Sequence, residues 1–203
     1  MKFSEYFGVN YSDDLTWYDP ILTIDTKLFV DPFLIFQNQF GPFAGAHDEL
    51  VDYFNAVFEL IASSNSTPRN KQKAINLLKF PEMEELMLGY TTGGTRGGGT
   101  GIKKASLIAS GMERAIAFSI SGARHFETIQ LFQEGIGPDL ISDATGKILR
   151  ERFAGYTKAI CDEHGVTDLE KCTYNDGTFN PLTGRWEQRH FQLPKNPWNG
   201  KPI

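Results

Sequence analysis

Residues 141–165 read ISDATGKILRERFAGYTKAICDEHG, with apolar residues at helical spacing and a glycine at the end. Ser142 is a favourable residue for a helix N-cap and Gly165 for the left-handed position just past a helix end, so the spacing predicts one long helix. On its C-terminal side, residues 171–174, an Asn175-Asp176-Gly177 turn and residues 186–193 read as strands. On its N-terminal side the pattern is again helical over 126–133 and over 102–120, where Ala105, Ile108, Ala109, Met112 and Ile116 make a small, closely packing face. Shorter helices are expected over 82–88 and from Pro68 to about Leu78, the latter with Thr67 as N-cap. A strong amphipathic helix over 48–63 carries Leu50, Phe54, Val57, Phe58 and Ile61 on one face. Farther out, residues 21–24 and 27–30 are rich in β-branched and aromatic side chains and predict two strands around Asp25-Thr26. Helices outnumber strands, and strands occur at both ends of the chain where they could pair. The expected class is α+β, mainly helical with short strands at the N- and C-terminal ends.

The composition agrees with one folded domain over 1–203. The chain has 203 residues, 40% hydrophobic and 22% charged, with sixteen Phe. That supplies a core and excludes wholesale disorder. No stretch approaches the roughly 20 apolar residues that span a bilayer, and the first residues lack a signal sequence, so the expected location is cytoplasmic, away from membranes. Cys161 and Cys172 form neither a disulfide framework nor a zinc motif. Residues 193–203 read either as a frayed terminus or as a loop entering another element; the second reading makes 1–203 the N-terminal part of a longer protein. A further domain or a homo-oligomer is compatible with that reading.

Net charge is −5, but it is unevenly placed: −8 over residues 1–68, +4 over 69–133 and −1 over 134–203. An acidic N-terminal third beside a basic middle gives a surface able to hold both a cation and an anion.

The basic middle contains a glycine loop, residues 93–101, in which every residue except Arg96 is Gly or Thr. It runs into a helix opening with Lys103 and Lys104. Exposed amides at a helix start, joined by cations, form an anion site, which makes Arg96, Gly97, Gly98, Gly99, Lys103 and Lys104 candidate phosphate-binding residues. Neither the Walker A spacing nor the dinucleotide-binding glycine pattern is present. A linker with no ligand is the competing reading.

Two carboxylates, Asp139 and Asp143, stand four residues apart after Gly135-Ile136-Gly137-Pro138. At a helix entrance they either stabilise the helix or ligate Mg²⁺, which takes one or two protein carboxylates and several waters. Asp31, at the end of the second expected strand, is either a plain Asp-Pro turn residue or a third ligand. Together, Asp31, Asp139 and Asp143 would make a metal site in which Asp139 and Asp143 are also catalytic. The four histidines, His47, His125, His164 and His190, show no metalloprotease spacing, and no serine stands in a nucleophile elbow. Residues 185–191 interleave cations with aromatics, as a base-stacking surface or an edge strand does.

Residues 28–34 (LFVDPFL), 135–143 (GIGPDLISD) and 156–161 (YTKAIC) resemble segments of uncharacterised prokaryotic proteins associated with mobile-element and phage-defence loci. That resemblance implies a setting rather than an activity. Pro138-Asp139 followed by Glu187-Gln188-Arg189 also resembles the PD-(D/E)xK nucleases, with Arg189 in place of the lysine and a long helix where a strand should follow. The expectation is a Mg²⁺-dependent phosphodiesterase, a nuclease of a prokaryotic defence system. The alternative is a non-enzymatic nucleic-acid-binding or assembly module.

Overall fold

The computed structural model describes residues 1–12, 16–38, 41–65, 67–81, 83–89, 101–117, 134–174, 177–180 and 182–203. These form seven α-helices: α1 (Phe3–Phe7), α2 (Pro32–Gln37), α3 (Ala46–Ala62), α4 (Pro68–Leu77), α5 (Ile102–Ala117), α6 (Pro138–Ile148) and α7 (Arg150–Glu163). Four strands follow: β1 (Glu170–Thr173), β2 (Thr178–Asn180), β3 (Arg185–Glu187) and β4 (His190–Leu193). The class is α+β and mainly helical. The helix expected over 126–133 lies outside the described residues.

Helix α3 is the centre of the main core. Leu50, Tyr53, Phe54, Val57, Phe58 and Ile61 recur every three or four residues and are all buried, so one stripe of the helix faces inward. Asp48 and Glu49 in its first turn complement the helix dipole. Arg152 of α7 binds Glu49 at 2.9 Å and the carbonyls of Pro42 and Ala44 at 2.7 Å each, which fastens this end. Helices α4, α5 and α6 pack on α3. On α5 the buried face is Ala105, Ala109, Gly111 and Ala115, with Ile108 and Met112 between them, and these small residues allow the helix to approach its neighbours closely. A second cluster joins Phe3, Val9, Trp17 and Leu22 to Met87, Cys161 and Val166. The N-terminal segment thus seals the far end of α7. Trp17 donates its indole N–H to His164 Nε2 at 3.2 Å across this seam.

Three sequence expectations are corrected. The long helix over 141–165 is two helices, broken at Leu149 (φ −89°, ψ 13°). The break directs Arg150 as well as Lys147 to one acceptor, the Gly177 carbonyl, at 2.9 and 3.3 Å. Ser142 is not its cap: α6 begins earlier, at Pro138 after Gly137, while Gly165 (φ 69°) ends α7 as expected. The N-terminal strands over 21–24 and 27–30 are not strands. Ile21 pairs with Lys2 and Thr26 with Leu88 as isolated bridges, and the Val30 amide is taken by the Ser142 side chain. With the Leu22, Thr26 and Val30 amides sent to Met1, Met87 and Ser142 and the Leu28 amide turned back to Thr26, no ladder can grow. The helix over 82–88 is only a 3₁₀ turn, Glu84–Leu86, followed by Met87 in the left-handed region (φ 51°). That turn lies against α6 at Gly146, where a Cβ would stand 2.5 Å from Leu86 Cδ1.

Among the described residues the strands therefore belong to the C-terminal end. Strands β1 and β4 pair antiparallel, Glu170 opposite Leu193 and Thr173 opposite His190. The β2–β3 hairpin, Thr178 opposite Glu187, is nested between them in sequence. Among the described residues no helix is long and apolar enough to cross a membrane.

Candidate functional site

The Thr26–Leu88 bridge sets the first element of the site. Thr26 N–H donates to Met87 O at 2.9 Å and Gly89 N–H to Thr26 O at 3.0 Å, which lays Asp25 beside Gly89. Asp25 is 9% exposed. From the opposite side, Gly137 and Pro138 start α6 and place Asp139 in its first turn, at the surface. Both carboxylates face the same glycine. A Cβ on Gly89 would lie 3.8 Å from Asp139 Oδ1 and 3.9 Å from Asp25 Oδ2, so the two oxygens are no farther apart than those distances combined. Gly89 has φ 139°, a conformation L side chains rarely adopt, and it puts no side chain of its own between the carboxylates.

Asp31, either a turn residue or a third ligand by sequence, is placed at the start of α2. It is exposed and caps α2, accepting the Phe33 N–H at 2.8 Å. Its segment does reach the entrance of α6, because the neighbouring Val30 amide donates to Ser142 Oγ at 2.9 Å. Asp143, half-buried, lies one turn beyond Asp139 on the same helix face. Asp25 and Asp143 are each engaged with other groups of the protein. Among the described residues no three His, Cys, Asp or Glu side chains gather as a metal-binding group. Two hard oxygen donors beside an open glycine suit Mg²⁺, with waters completing its shell, better than a softer metal.

The phosphate-binding candidates divide. Lys103 is exposed and Lys104 half-buried in the first turn of α5. Arg96, Gly97, Gly98 and Gly99 lie outside the described residues, in the glycine-rich stretch that follows Gly89. The residues that resemble a nuclease motif farther on are committed elsewhere. The Glu187 carboxyl is lowered below its usual range by hydrogen bonds from the Asn180 amide and the Thr183 hydroxyl, and Arg189 pairs with Glu151 at 2.7 Å. Trp186 is no open stacking surface: it is half-buried on the core, with Lys147 Nζ 4.7 Å from its ring centroid.

Sequence reading missed the role of Asp25, which looked like a turn residue, and it missed the buried cations. Lys147 and Arg150 are 1% and 3% exposed. The available hint was their place on the apolar side of a helical pattern. Arg150 pairs with Glu85 at 2.7 Å and its guanidinium lies 4.3 Å over the Tyr174 ring. Both charged groups border a cavity of about 380 Å³ between the N-terminal segment, residues 83–88 and α7.

No curated protein and no solved structure matches this chain. One family profile does, over residues 8–203, nearly the whole of it, and the chain accordingly belongs to the family described as Domain of unknown function (DUF8370).

Proposed function

We propose that the protein is a Mg²⁺-dependent phosphodiesterase, a nuclease acting in the cytoplasm of a prokaryote as part of a defence system. The observation that supports this reading is the meeting of Asp25 and Asp139, distant in sequence, at the side-chain-free face of Gly89. Asp139 and Asp25 would hold the ion, directly or through water, with Asp143 one turn behind. Bound there, Mg²⁺ supplies Lewis-acid activation of a phosphoryl oxygen and lowers the pKa of water. The chain's own contribution is to fix the two carboxylates on the bridge and the helix start, and to bring cations to the phosphates. Lys103 and Lys104 are two such cations, and Arg96, in the adjoining glycine stretch, is a third. The setting in defence comes from the resemblance of residues 28–34, 135–143 and 156–161.

The test is cleavage by purified protein of plasmid, single-stranded DNA and RNA with Mg²⁺ or Mn²⁺. Asp139→Asn should reduce cleavage about 100-fold or more with little change in melting temperature, since Asp139 is exposed. Asp25→Asn should do the same to activity. If no substrate is cut with either ion, and Asp139→Asn alters only stability, the carboxylates are structural. The chain is then a nucleic-acid-binding or assembly module.

A further inference from the structure

The cavity beside α7 has a chemistry that narrows what it can hold. Its volume, about 380 Å³, lies within the range of small-molecule sites. The walls are aromatic and aliphatic: Trp17 and Tyr18 from the N-terminal segment, Phe29 and Leu88 from the strips flanking Asp25 and Gly89, and Phe153 and Tyr156 from α7. Its polar groups are mostly used up. Tyr156 donates to Thr16 O at 3.1 Å, and the Tyr18 hydroxyl donates to Thr26 Oγ1. Arg150 directs one nitrogen to Gly177 O and another to Glu85 Oε1. What remains is the Glu85 carboxylate and the Thr157 hydroxyl, both on the cavity lining. Oε1 of Glu85 pairs with Arg150, and neither Glu85 oxygen takes a hydrogen bond among the described residues. The site therefore offers flat apolar faces, one carboxylate acceptor and one hydroxyl. A ligand that fits is a planar ring with an exocyclic amino group on its edge; an anionic edge would be repelled.

Two residues of the cavity wall are linked to the carboxylate pair. Leu88 immediately precedes Gly89, and Tyr18 is hydrogen-bonded to Thr26, the residue after Asp25. We infer that the cavity receives a nucleobase bearing an amino group, as adenine, cytosine and guanine do, while the attached phosphate lies toward Asp25 and Asp139. The identity of the ring rests on the phosphodiesterase reading. A base enclosed this way is out of any duplex stack, so the substrate is single-stranded nucleic acid or a free nucleotide. Thymine and uracil carry a carbonyl oxygen in place of the amino group and can offer Glu85 only the ring N3–H, flanked by two carbonyl oxygens that the carboxylate repels.

Calorimetric titration without divalent metal tests this, with dAMP, dCMP and dTMP and with ten-nucleotide oligo(dA), oligo(dT) and a duplex as probes. Adenine and cytosine ligands should bind about 10-fold or more tighter than thymine ligands. Binding of oligo(dA) together with weak binding of dAMP assigns the site to single strands; comparable binding assigns it to nucleotides. Thr157→Phe, which fills the cavity from α7, should abolish binding, and Glu85→Gln, which adds a donor, should collapse the adenine-over-thymine ratio. Equal affinity for oligo(dA), oligo(dT) and duplex, or unchanged binding in a folded Thr157→Phe protein, overturns the inference. Base binding without cleavage leaves it standing and removes the nuclease reading; cleavage without base preference does the reverse.

Discussion

Gly177 concentrates more constraints than its place in an Asn-Asp-Gly turn implies. It has φ 73°, its carbonyl accepts from both Lys147 and Arg150, and a Cβ there would stand 2.7 Å from Glu187 O and 2.9 Å from Glu187 C. The obstacle is backbone, which has no rotamer to yield. Gly177→Ala should therefore cost about 2–3 kcal/mol, combining an unfavourable φ with a clash. Urea denaturation decides the point, and a change below about 0.5 kcal/mol would show that the hairpin shifts freely. The contrast between Asp25 and Asp31 belongs to the same scale. Both look like turn acids in sequence, and Asp31 is one, spent on the Phe33 amide. Asp25 became a candidate ligand only because a bridge to Leu88 carries Gly89 and, through it, Asp139 to its side.

Among the elements, the break between α6 and α7 matters most. Periodicity runs unbroken through 141–165, because each half places its apolar residues on an inward face and Leu149 at the joint is itself buried. Nothing local announces the break; it serves contacts with segments far away in sequence. Arg150, the first residue of α7, pairs with Glu85 of the 84–86 turn, the two side chains being 4% and 13% exposed. Removing one member of so enclosed a pair strands the other charge. Arg150→Leu should destabilise the protein by about 3–5 kcal/mol, and the double change with Glu85→Leu should recover much of that loss, since an apolar pair needs no desolvated charges. A double-mutant cycle by chemical denaturation measures both quantities. If the double variant is as unstable as the single, the loss reflects packing around Tyr174 rather than the ion pair.

For the whole molecule, the thiols report how the ends of the chain are joined. Cys161 is fully buried under the N-terminal segment, and its thiol is pushed up to about 11 by burial and, less, by Asp162. Cys172 is raised in the same direction by burial, and Tyr53 in the main core likewise. A group whose folded pKa is raised holds its proton longer in the folded state. Below the unfolded thiol value, near 9, folded and unfolded chains are both protonated and Cys161 adds no pH dependence. Above it the unfolded chain loses protons first, so stability falls as pH rises toward about 11. Denaturation midpoints at about pH 8 and about pH 10.5 should show this decline, and Cys161→Ala should flatten part of it. A midpoint that is flat across that range would mean the N-terminal seal opens readily in the native protein.

The sequence by itself determined the helical stripe of α3, the small face of α5, the Pro68 start of α4, the Gly165 stop and strand β1. Each depends on residues within a turn or two, where spacing and side-chain size act directly. The stretch expected as one strand over 186–193 is instead divided into β3 and β4, which pair with different partners, and β2 was not foreseen. Tertiary structure decided the rest. It chose isolated bridges over strands for residues 21–30 because their amides found partners at Met1, Met87 and Ser142, spread over the whole chain. It divided the long helix so that two buried cations could share one carbonyl. It also assembled the candidate site, whose two carboxylates meet across Gly89 from segments that share no local pattern. Such a meeting is set by long-range packing, which local periodicity does not encode.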